Sequence, residues 1–286
     1  MDVVTRAEAV ASGLTGAEVD RRLRDGSWEA LRRGIYATRP ADRTAVEAVA
    51  ALRALGGEVV VSHETAARLQ AIPLLDEPTT ISVTRAGGST RRLSRLRVHV
   101  AALPESHVRT AGPLRVTTPA RTVVDLARRL PGPAALVAAD GALHLGIVRP
   151  GDLAQVLLRC ATWPGIRGAA RVVRLADGRA ESPLETLCRD LFVRHGVPGP
   201  VVQGIVADRS TGWFARVDFL WPESSTVVEA DGRVKYGEPA DLWREKLRQE
   251  RIEELRYLVR RVTWAQVTRR PEATVARVLR ALERPR

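Results

Sequence analysis

The sequence predicts an α+β region at the N-terminus followed by an α/β domain at the C-terminus. Its 286 residues exceed one small compact domain and suit two or three domains. Over residues 1–160, short helical patterns with capping residues alternate with short strand patterns. Residues 181–286 follow the order α-β-β-β-α-β-α, which is typical of a mixed sheet with flanking helices.

The composition indicates a polyanionic partner. The formal net charge is +12, and residues 1–180 hold 26 basic and 17 acidic residues. This excess favours nucleic acid over the alternative of a solvated arginine-rich surface. The two cysteines, Cys160 and Cys188, are too few for a disulfide scaffold or a Cys-rich zinc site. Because the sequence shows neither a signal peptide nor an apolar stretch long enough to span a bilayer, we expect a cytoplasmic protein.

Residues 1–40 predict a small helical unit with a β-ribbon. Thr5 is suited to cap a helix over RAEAVAS, and Thr15 to cap a second helix over GAEVDRRLRDG. Gly34 suits a hairpin turn within WEALRRGIYAT. Helix, turn, basic helix and basic ribbon is the order of a winged helix-turn-helix, whose second helix enters the major groove of DNA. The alternative is a helical hairpin with a solvated basic face.

This segment also resembles a known family. TRAEAVASGL and VDRRLRDGSWEALRRGIYAT resemble the N-terminal winged helix of AbiEi-type antitoxins, DNA-binding proteins of type IV toxin–antitoxin systems. VVSHETAARLQAIPL, TTISVTR and LRVTTPARTVVDLAR resemble the next part of that family, so the resemblance covers residues 3–150. It implies double-stranded DNA as the partner, and it leaves a toxin partner or self-association open. The phosphate or base contacts that it implies are Arg21, Arg22, Arg24, Arg32 and Arg33.

One feature departs from that family. Only two helices precede the ribbon, whereas a complete winged helix usually has three. We therefore expect either a trimmed domain or one that takes a helix from downstream.

Residues 41–160 predict a mixed α/β middle domain, and residues 161–180, which contain Gly, Pro and Arg, predict a linker. AVEAVAALRALG, ETAARLQAI and ARTVVDLARRL read as helices. EVVVSH, TTISVTR and RLRVHVA read as strands, and AGGSTRR as a turn with basic flanks. Ser62 and His63 tempt a hydrolase interpretation, but adjacent strand residues point to opposite faces. We expect His63 to be structural.

Residues 181–286 predict the C-terminal domain. Ser182 is suited to cap a helix that starts at Pro183. VVQGIVA, FARVDFLW and TVVEAD read as three strands separated by the turns DRSTG and WPESS. EPADLWREKLRQERIEELR reads as a long polar helix, YLVRRVTW as a strand, and a last helix begins at Pro271.

Carboxylates recur on two strands of this sheet. Because a five-residue turn makes those strands antiparallel neighbours, Asp218 can share a face with Glu229 and Asp231. Clustered carboxylates repel one another and lose hydration unless a cation compensates them, and Mg²⁺ or Mn²⁺ is suited to that task. The alternatives are a turn role for Asp231 before Gly232, an ion pair between Glu229 and an arginine, and a solvent-facing Asp218.

The order of these elements resembles the PD-(D/E)XK nuclease core. ESPLE, RVDFLWPE, VVEADGRVKYG and RVTW more closely resemble the Vsr-like endonuclease domain, a restriction-endonuclease-like α/β fold of uncharacterised bacterial proteins, over residues 181–280. The resemblance implies metal ligands at Asp218, Glu229 and Asp231, and a first-helix catalytic acid at Glu185. It departs where the family has Glu-x-Lys, since Glu229-Ala230-Asp231 lacks the lysine. The chain also has no Cys/His cluster for the structural zinc of Vsr mismatch endonucleases.

The placement of lysine bears on this missing group. Only two of the 45 basic residues are lysines, Lys235 and Lys246, and both follow the acidic pair. Lysine is a compact, tunable charge that suits the activation of water or the stabilisation of a pentacoordinate phosphate. We expect one of them to be a migrated catalytic lysine, and the alternative is chance placement.

Two functions follow from these patterns. The leading one is a DNA-binding protein whose metal-dependent endonuclease domain hydrolyses phosphodiester bonds. The alternative is an AbiEi-like antitoxin or transcriptional regulator whose nuclease-fold domain is inactive and serves binding. The target site and the choice between DNA and RNA stay open.

Overall fold

The computed structural model describes residues 3–38, 43–55, 58–93, 95–112, 114–232 and 239–283. The chain divides into two compact units. The N-terminal unit comprises residues 1–138 and 146–174, and the C-terminal unit comprises residues 139–145 and 175–286. The chain is a mixed α/β protein with helices and several sheets.

The N-terminal unit begins with two helices and a small antiparallel sheet of order β1-β3-β2. The elements are β1 (Val3–Thr5), α1 (Arg6–Ala11), α2 (Gly16–Arg24), β2 (Glu29–Arg32) and β3 (Ile35–Ala37). Thr5 and Thr15 each close a capping box, with Glu8 and Glu18 respectively. These boxes satisfy backbone donors that the first turn of each helix leaves unpaired, which explains why both helices begin where the sequence predicts.

A third helix, α3 (Arg43–Leu55), packs on this small sheet. Val46 and Ala50 contact Val3, Ile35 and Ala37 in one buried cluster. The small sheet thus gains its missing cover from downstream in the chain, one of the two outcomes expected from the sequence.

The other face of α3 packs on a six-stranded mixed sheet of order β6-β7-β5-β4-β9-β8. The pairs β5/β7 and β4/β9 are parallel, and the other neighbours are antiparallel. The strands are β4 (Val60–Val61), β5 (Ile81–Arg85), β6 (Arg91–Leu93), β7 (Leu96–Val100), β8 (Val108–Ala111) and β9 (Leu114–Thr117). The helices that follow α3 are α4 (His63–Leu69), α5 (Pro119–Ala127), α6 (Gly132–His144), α7 (Pro150–Arg159) and α8 (Ile166–Leu175).

The segment predicted as a linker contains a whole helix. Residues 161–180 include α8, in which Ala169 and Val172 are buried. Their spacing of three residues places both on one helix face, a helical periodicity that the Gly, Pro and Arg content of the segment obscured.

The C-terminal unit is a four-stranded sheet of order β10-β11-β12-β13 with helices around it. Its elements are α9 (Pro183–Arg194), β10 (Val201–Asp208), β11 (Trp213–Trp221), β12 (Thr226–Asp231), α10 (Pro239–Glu254), β13 (Leu258–Thr263), α11 (Trp264–Arg269) and α12 (Pro271–Leu282). The first three strands are antiparallel, and β12 pairs with β13 in parallel. This order follows the predicted α-β-β-β-α-β-α series, with α11 added.

This unit also begins earlier than residue 181. The carboxylate of the fully buried Asp140 accepts hydrogen bonds from the Asp177 backbone N–H at 2.8 Å and from Thr186 Oγ1 at 2.9 Å. Arg189 Nη2 lies 2.8 Å from the same carboxylate. A buried carboxylate without such partners would be costly, so these bonds hold residue 140 to the C-terminal unit.

Candidate functional site

The predicted acidic residues gather where two strands separate. The antiparallel ladder between β11 and β12 ends at the pair Phe219 and Val228. The next residues along each strand are Asp218 and Glu229, and their side chains fill the position where the ladder would continue. The Ala230 N–H donates to Asp218 Oδ2 at 2.7 Å, and the Asp218 N–H donates to Glu229 Oε2 at 3.4 Å. Side-chain carboxylates therefore replace backbone carbonyls as acceptors at this end of the sheet.

The environment of Asp218 favours its protonated form. Burial and the neighbouring charges of Glu229 and Glu185 raise the pKa of Asp218 to about 7, against the opposing hydrogen bond from Ala230. Like charges held close in a partly dehydrated site cannot all ionise without compensation. The raised pKa of Asp218 therefore reflects the cost of a carboxylate held close to other acids.

Glu229 is compensated by an arginine. Arg248, on α10, places Nη2 2.8 Å from Glu229 Oε1, and the Glu229 side chain is 12 % exposed. The same guanidinium binds Glu245 through Nε at 3.0 Å and donates from Nη1 to the Arg216 carbonyl at 3.1 Å. Although burial lowers it, the pKa of Arg248 is raised by its bond to Glu245 and by the charge of Glu229. The pairing that the sequence offered as an alternative for Glu229 is the one observed.

Glu185 lies in the first turn of α9 and is buried. Its Oε2 accepts hydrogen bonds from the Glu181 N–H at 2.9 Å and from Gln203 Nε2 at 2.8 Å. Burial, followed by the charges of Asp218 and Glu185, raises the pKa of the Cys188 thiol. Glu185 thus belongs to the same electrostatic neighbourhood as Asp218, and its role as a catalytic acid is still a prediction.

Asp231 and the lysines are placed differently. Asp231, at the end of β12, has Arg261 Nη1 3.8 Å from its Oδ2, and Arg261 also binds Glu245 Oε1 at 2.7 Å. Lys246 is exposed on α10, and within the described residues no hydrogen bond or ion pair joins it to the acids. Lys235 lies outside the described residues, so its predicted role is still a prediction.

These acids do not form a set of metal ligands as they stand. Asp218 Oδ2, both oxygens of Glu229 and Glu185 Oε2 already accept hydrogen bonds from the protein. In the part of the chain that the structure describes, no group of three or more His, Cys, Asp or Glu side chains is arranged to hold a metal ion. Mg²⁺ demands near-octahedral oxygen ligands, so the residues do not fit it in this arrangement.

The arginines predicted to contact nucleic acid lie on α2 and on the β2–β3 ribbon. Arg21, Arg24 and Arg33 are exposed, and Gly34 takes the positive φ of +72° that the turn beside Arg33 requires. Arg22 instead lies over the ring of Trp28, 5.1 Å from its centroid. Arg32 ends β2, and its side chain lies outside the described part of the chain.

A second arginine-rich element is the hairpin of β6 and β7, where the sequence predicted a strand at β7 but a turn with basic flanks in place of β6. Arg91, Arg92 and Arg95 are exposed, and none of them forms an ion pair within the described residues. Arg92 and Arg97 are direct partners across the two strands. Like charges directly opposite one another destabilise a hairpin, so an anion close to both arginines would stabilise this one.

The N-terminal unit also buries a polar cluster that sequence reasoning missed. Arg121 Nε binds Asp125 Oδ2 at 2.7 Å with both side chains almost fully buried, and Arg121 lies 4.6 Å over the ring of Trp163. His63, predicted to be structural, is buried and stacks on His99 with ring centroids 3.7 Å apart. The i, i+4 spacing of Arg121 and Asp125 was the only signal of the first pair in the sequence.

The described residues include no helix that is long and apolar enough to cross a membrane.

Three comparisons relate the chain to known proteins. Two proteins of Mycobacterium tuberculosis, the uncharacterized protein MT2308 of strain CDC 1551 / Oshkosh and the uncharacterized protein Rv2248 of strain ATCC 25618 / H37Rv, are each 28% identical to it over 274 residues. Each match covers 96% of this chain and 99% of the relative. The crystal structure of the RV2827C protein from M. tuberculosis aligns with a TM-score of 0.44 and 13% identity, over 75% of this chain and 86% of that one. Residues 61–177 match the family model of the AbiEi antitoxin C-terminal domain.

Proposed function

We propose that the chain is a DNA-binding regulator of the antitoxin kind, whose C-terminal unit serves binding rather than catalysis. The observation that carries this proposal is the match of residues 61–177 to the AbiEi antitoxin C-terminal domain. The matched segment follows a small helix-and-ribbon unit with exposed arginines, an arrangement suited to DNA.

The first DNA-contacting surface in this proposal consists of α2 and the β2–β3 ribbon. We assign α1, α2 and the ribbon to a winged helix, with α3 as its third helix. In that arrangement α2 enters the major groove and presents Arg21 and Arg24, while the ribbon brings Arg33 to the phosphate backbone. Arg22 supports the base of the ribbon through Trp28.

The β6–β7 hairpin is the second surface. Its arginines include a facing pair, Arg92 and Arg97, without an acidic partner within the described residues. Phosphates would relieve that repulsion, which supports nucleic acid as the partner over a solvated surface. The antitoxin family supports a toxin as a further partner.

The test measures binding to the DNA upstream of the protein's own gene by fluorescence anisotropy in EDTA. We expect sequence-specific binding that Arg21→Ala/Arg24→Ala weakens by about tenfold or more, because each lost arginine removes a phosphate or base contact. Arg209→Ala/Arg269→Ala is the charge-matched control, since both arginines are exposed in the C-terminal unit. Equal binding of all three proteins, or no preference over unrelated DNA, would contradict the proposal.

A second candidate function is metal-dependent hydrolysis of phosphodiester bonds. The observation that favours it is the proximity of Asp218, Glu229 and Glu185, with the pKa of Asp218 raised to about 7. Plasmid DNA and RNA substrates with Mg²⁺ or Mn²⁺ test it, with wild type compared to Asp218→Ala and Lys246→Ala. Cleavage that Asp218→Ala abolishes would support a nuclease, and the absence of cleavage in the wild type would leave the binding function alone.

A further inference from the structure

We propose that Arg248 is the resident cation of the acid cluster, and that it excludes divalent metal from Asp218 and Glu229 in the native protein. This inference deepens the proposed non-catalytic role of the C-terminal unit. The nuclease resemblance implies a metal ion at these carboxylates, whereas in the structure they accept hydrogen bonds from the protein. The inference names Arg248 as the side chain that explains this difference.

The guanidinium of Arg248 is fixed at three points. Nη2 lies 2.8 Å from Glu229 Oε1, Nε lies 3.0 Å from Glu245 Oε2, and Nη1 donates to the Arg216 carbonyl at 3.1 Å. A planar fork held by three acceptors on different elements has one orientation, unlike a surface arginine with a single partner. Arg248 is therefore a built part of the site.

Glu245 fixes the position of Arg248 by a second set of ion pairs. Its carboxylate binds Arg248 at 3.0 Å and Arg261 at 2.7 Å, and the Cα of Arg261 is the direct β13 partner of Glu229 on β12. Arg261 Nη1 also lies 3.8 Å from Asp231. Two arginines thus face the acids of β12, and one carboxylate on α10 positions both.

A divalent ion and Arg248 compete for the same oxygen. A metal bound to Glu229 would need Oε1 or Oε2, and Arg248 and the Asp218 N–H already occupy these atoms. Two cations in contact with one carboxylate repel each other, and the repulsion is stronger in a half-buried site than in bulk water. We therefore expect weak metal binding while the Arg248 guanidinium binds Glu229, and a higher metal affinity when that guanidinium is removed.

The test measures Mn²⁺ binding to the full-length protein by titration calorimetry and by the thermal shift that Mn²⁺ causes. We expect Arg248→Gln to bind one Mn²⁺ at least about tenfold more tightly than wild type and to gain thermal stability when Mn²⁺ is added. Adding Asp218→Asn to Arg248→Gln is expected to remove that site. Arg248→Lys, which keeps a cation, is expected to bind no more tightly than wild type.

Arg251→Gln is the matched control. Arg251 lies on the same helix and forms ion pairs of 2.6 Å with Asp208 and Glu254, away from the acid cluster. Its loss is expected to leave Mn²⁺ affinity at the wild-type level.

Two results would overturn the inference. One is wild-type protein that binds Mn²⁺ stoichiometrically and loses the site in Asp218→Asn, a measurement that does not depend on any Arg248 variant folding. The other is a folded Arg248→Gln protein, verified by circular dichroism, with unchanged Mn²⁺ affinity. DNA binding in EDTA is measured on the same proteins, so failure of the regulator proposal is distinguishable from failure of this one.

Discussion

At the residue scale, the N-terminal unit buries a charged pair whose contribution to stability can be assigned to single side chains. Arg121 and Asp125 are 0 % and 1 % exposed, and Arg121 also donates to the Ala102 carbonyl at 3.0 Å. Burial raises the pKa of Asp125, against the opposing effect of Arg121. The Asp125 carboxylate therefore depends on Arg121 to remain ionised inside the protein.

Arg121→Met is expected to lower the free energy of unfolding by about 3–5 kcal/mol, because it leaves Asp125 buried without its main partner. Urea denaturation measures the loss. The control is Arg194→Met, which removes an ion pair of the same i, i+4 spacing and 2.7 Å length from an arginine that is 45 % exposed. It is expected to cost about 1 kcal/mol. Arg121→Met/Asp125→Leu should cost less than the two single losses combined, and strict additivity would contradict a mutual dependence.

The stacked histidines give the protein a predictable response to acid. Burial, then the charge of His63, then Arg129 lower the pKa of His99 to about 2, and burial, followed by nearby arginines, lowers the pKa of His63 well below its usual 6.5. The unfolded chain binds protons at these imidazoles below the usual pKa, whereas the folded protein does not. The stability that the neutral histidines contribute is therefore fully present above pH 6.5. It is lost as the pH falls towards the pKa values of these histidines in the folded protein.

Between about pH 7.5 and about pH 5.5, the buried His99 is expected to cost about 1.4 kcal/mol of unfolding free energy. Wild type should therefore lose about 1.4 kcal/mol more over this interval than His99→Gln does. Urea denaturation at both pH values checks this, with His195→Gln, at an exposed position, as the control. An identical pH dependence in wild type and His99→Gln would show that His99 is protonated in the folded state.

At the element scale, the start of α8 depends on a glycine. Gly165 has φ of +82°, and a Cβ there would lie 2.3 Å from the Arg128 carbonyl oxygen. Gly146 has a similar φ of +67° with nothing within 4 Å of its would-be Cβ. An alanine at Gly146 would therefore meet backbone strain alone, whereas an alanine at Gly165 would meet the same strain and a steric clash.

Gly146→Ala is expected to cost about 1 kcal/mol, the strain of the left-handed conformation alone. Gly165→Ala should cost about 3 kcal/mol or more, because the backbone of α5 or α8 must also shift. Thermal or urea unfolding of the two variants compares them directly. Equal losses would mean that the approach of Gly165 to Arg128 is easily relieved.

The same scale shows how far the sequence alone could lead. Thr5, Thr15 and Ser182 marked their helices because capping is local chemistry, and each side chain accepts the N3 backbone N–H as expected. The meeting of Asp218 with Glu229 followed from strand alternation and a short turn. Arg248 could not be selected from the many arginines, because its choice depends on how α10 lies across the sheet. The structural role of Asp140 could not be predicted for the same reason, since its partners Thr186 and Arg189 are more than forty positions away in the sequence.

At the scale of the whole molecule, arginines differ in whether a carboxylate neutralises them. Arginines in the C-terminal unit, such as Arg248, Arg251 and Arg261, are engaged with carboxylates. In the N-terminal unit, Arg91, Arg92 and Arg95 face solvent without an ion pair within the described residues. Residues 1–180 carry +9 of the net charge of +12, and the exposed arginines among them leave part of this charge available to phosphates.

The exposed arginines without an ion pair predict how salt will act on DNA binding. Each phosphate neutralised by an arginine releases condensed counterions and contributes about −0.9 to the slope of log K against log salt concentration. If the hairpin contacts the DNA backbone, Arg91→Ala/Arg92→Ala should reduce the magnitude of that slope by about 2 and weaken binding to all sequences alike. Arg209→Ala/Arg269→Ala removes the same charge from the C-terminal unit and should leave the slope unchanged. An unchanged slope in the hairpin variant would confine the DNA contacts to α2 and the ribbon, whereas an equal reduction in both variants would point to net charge alone.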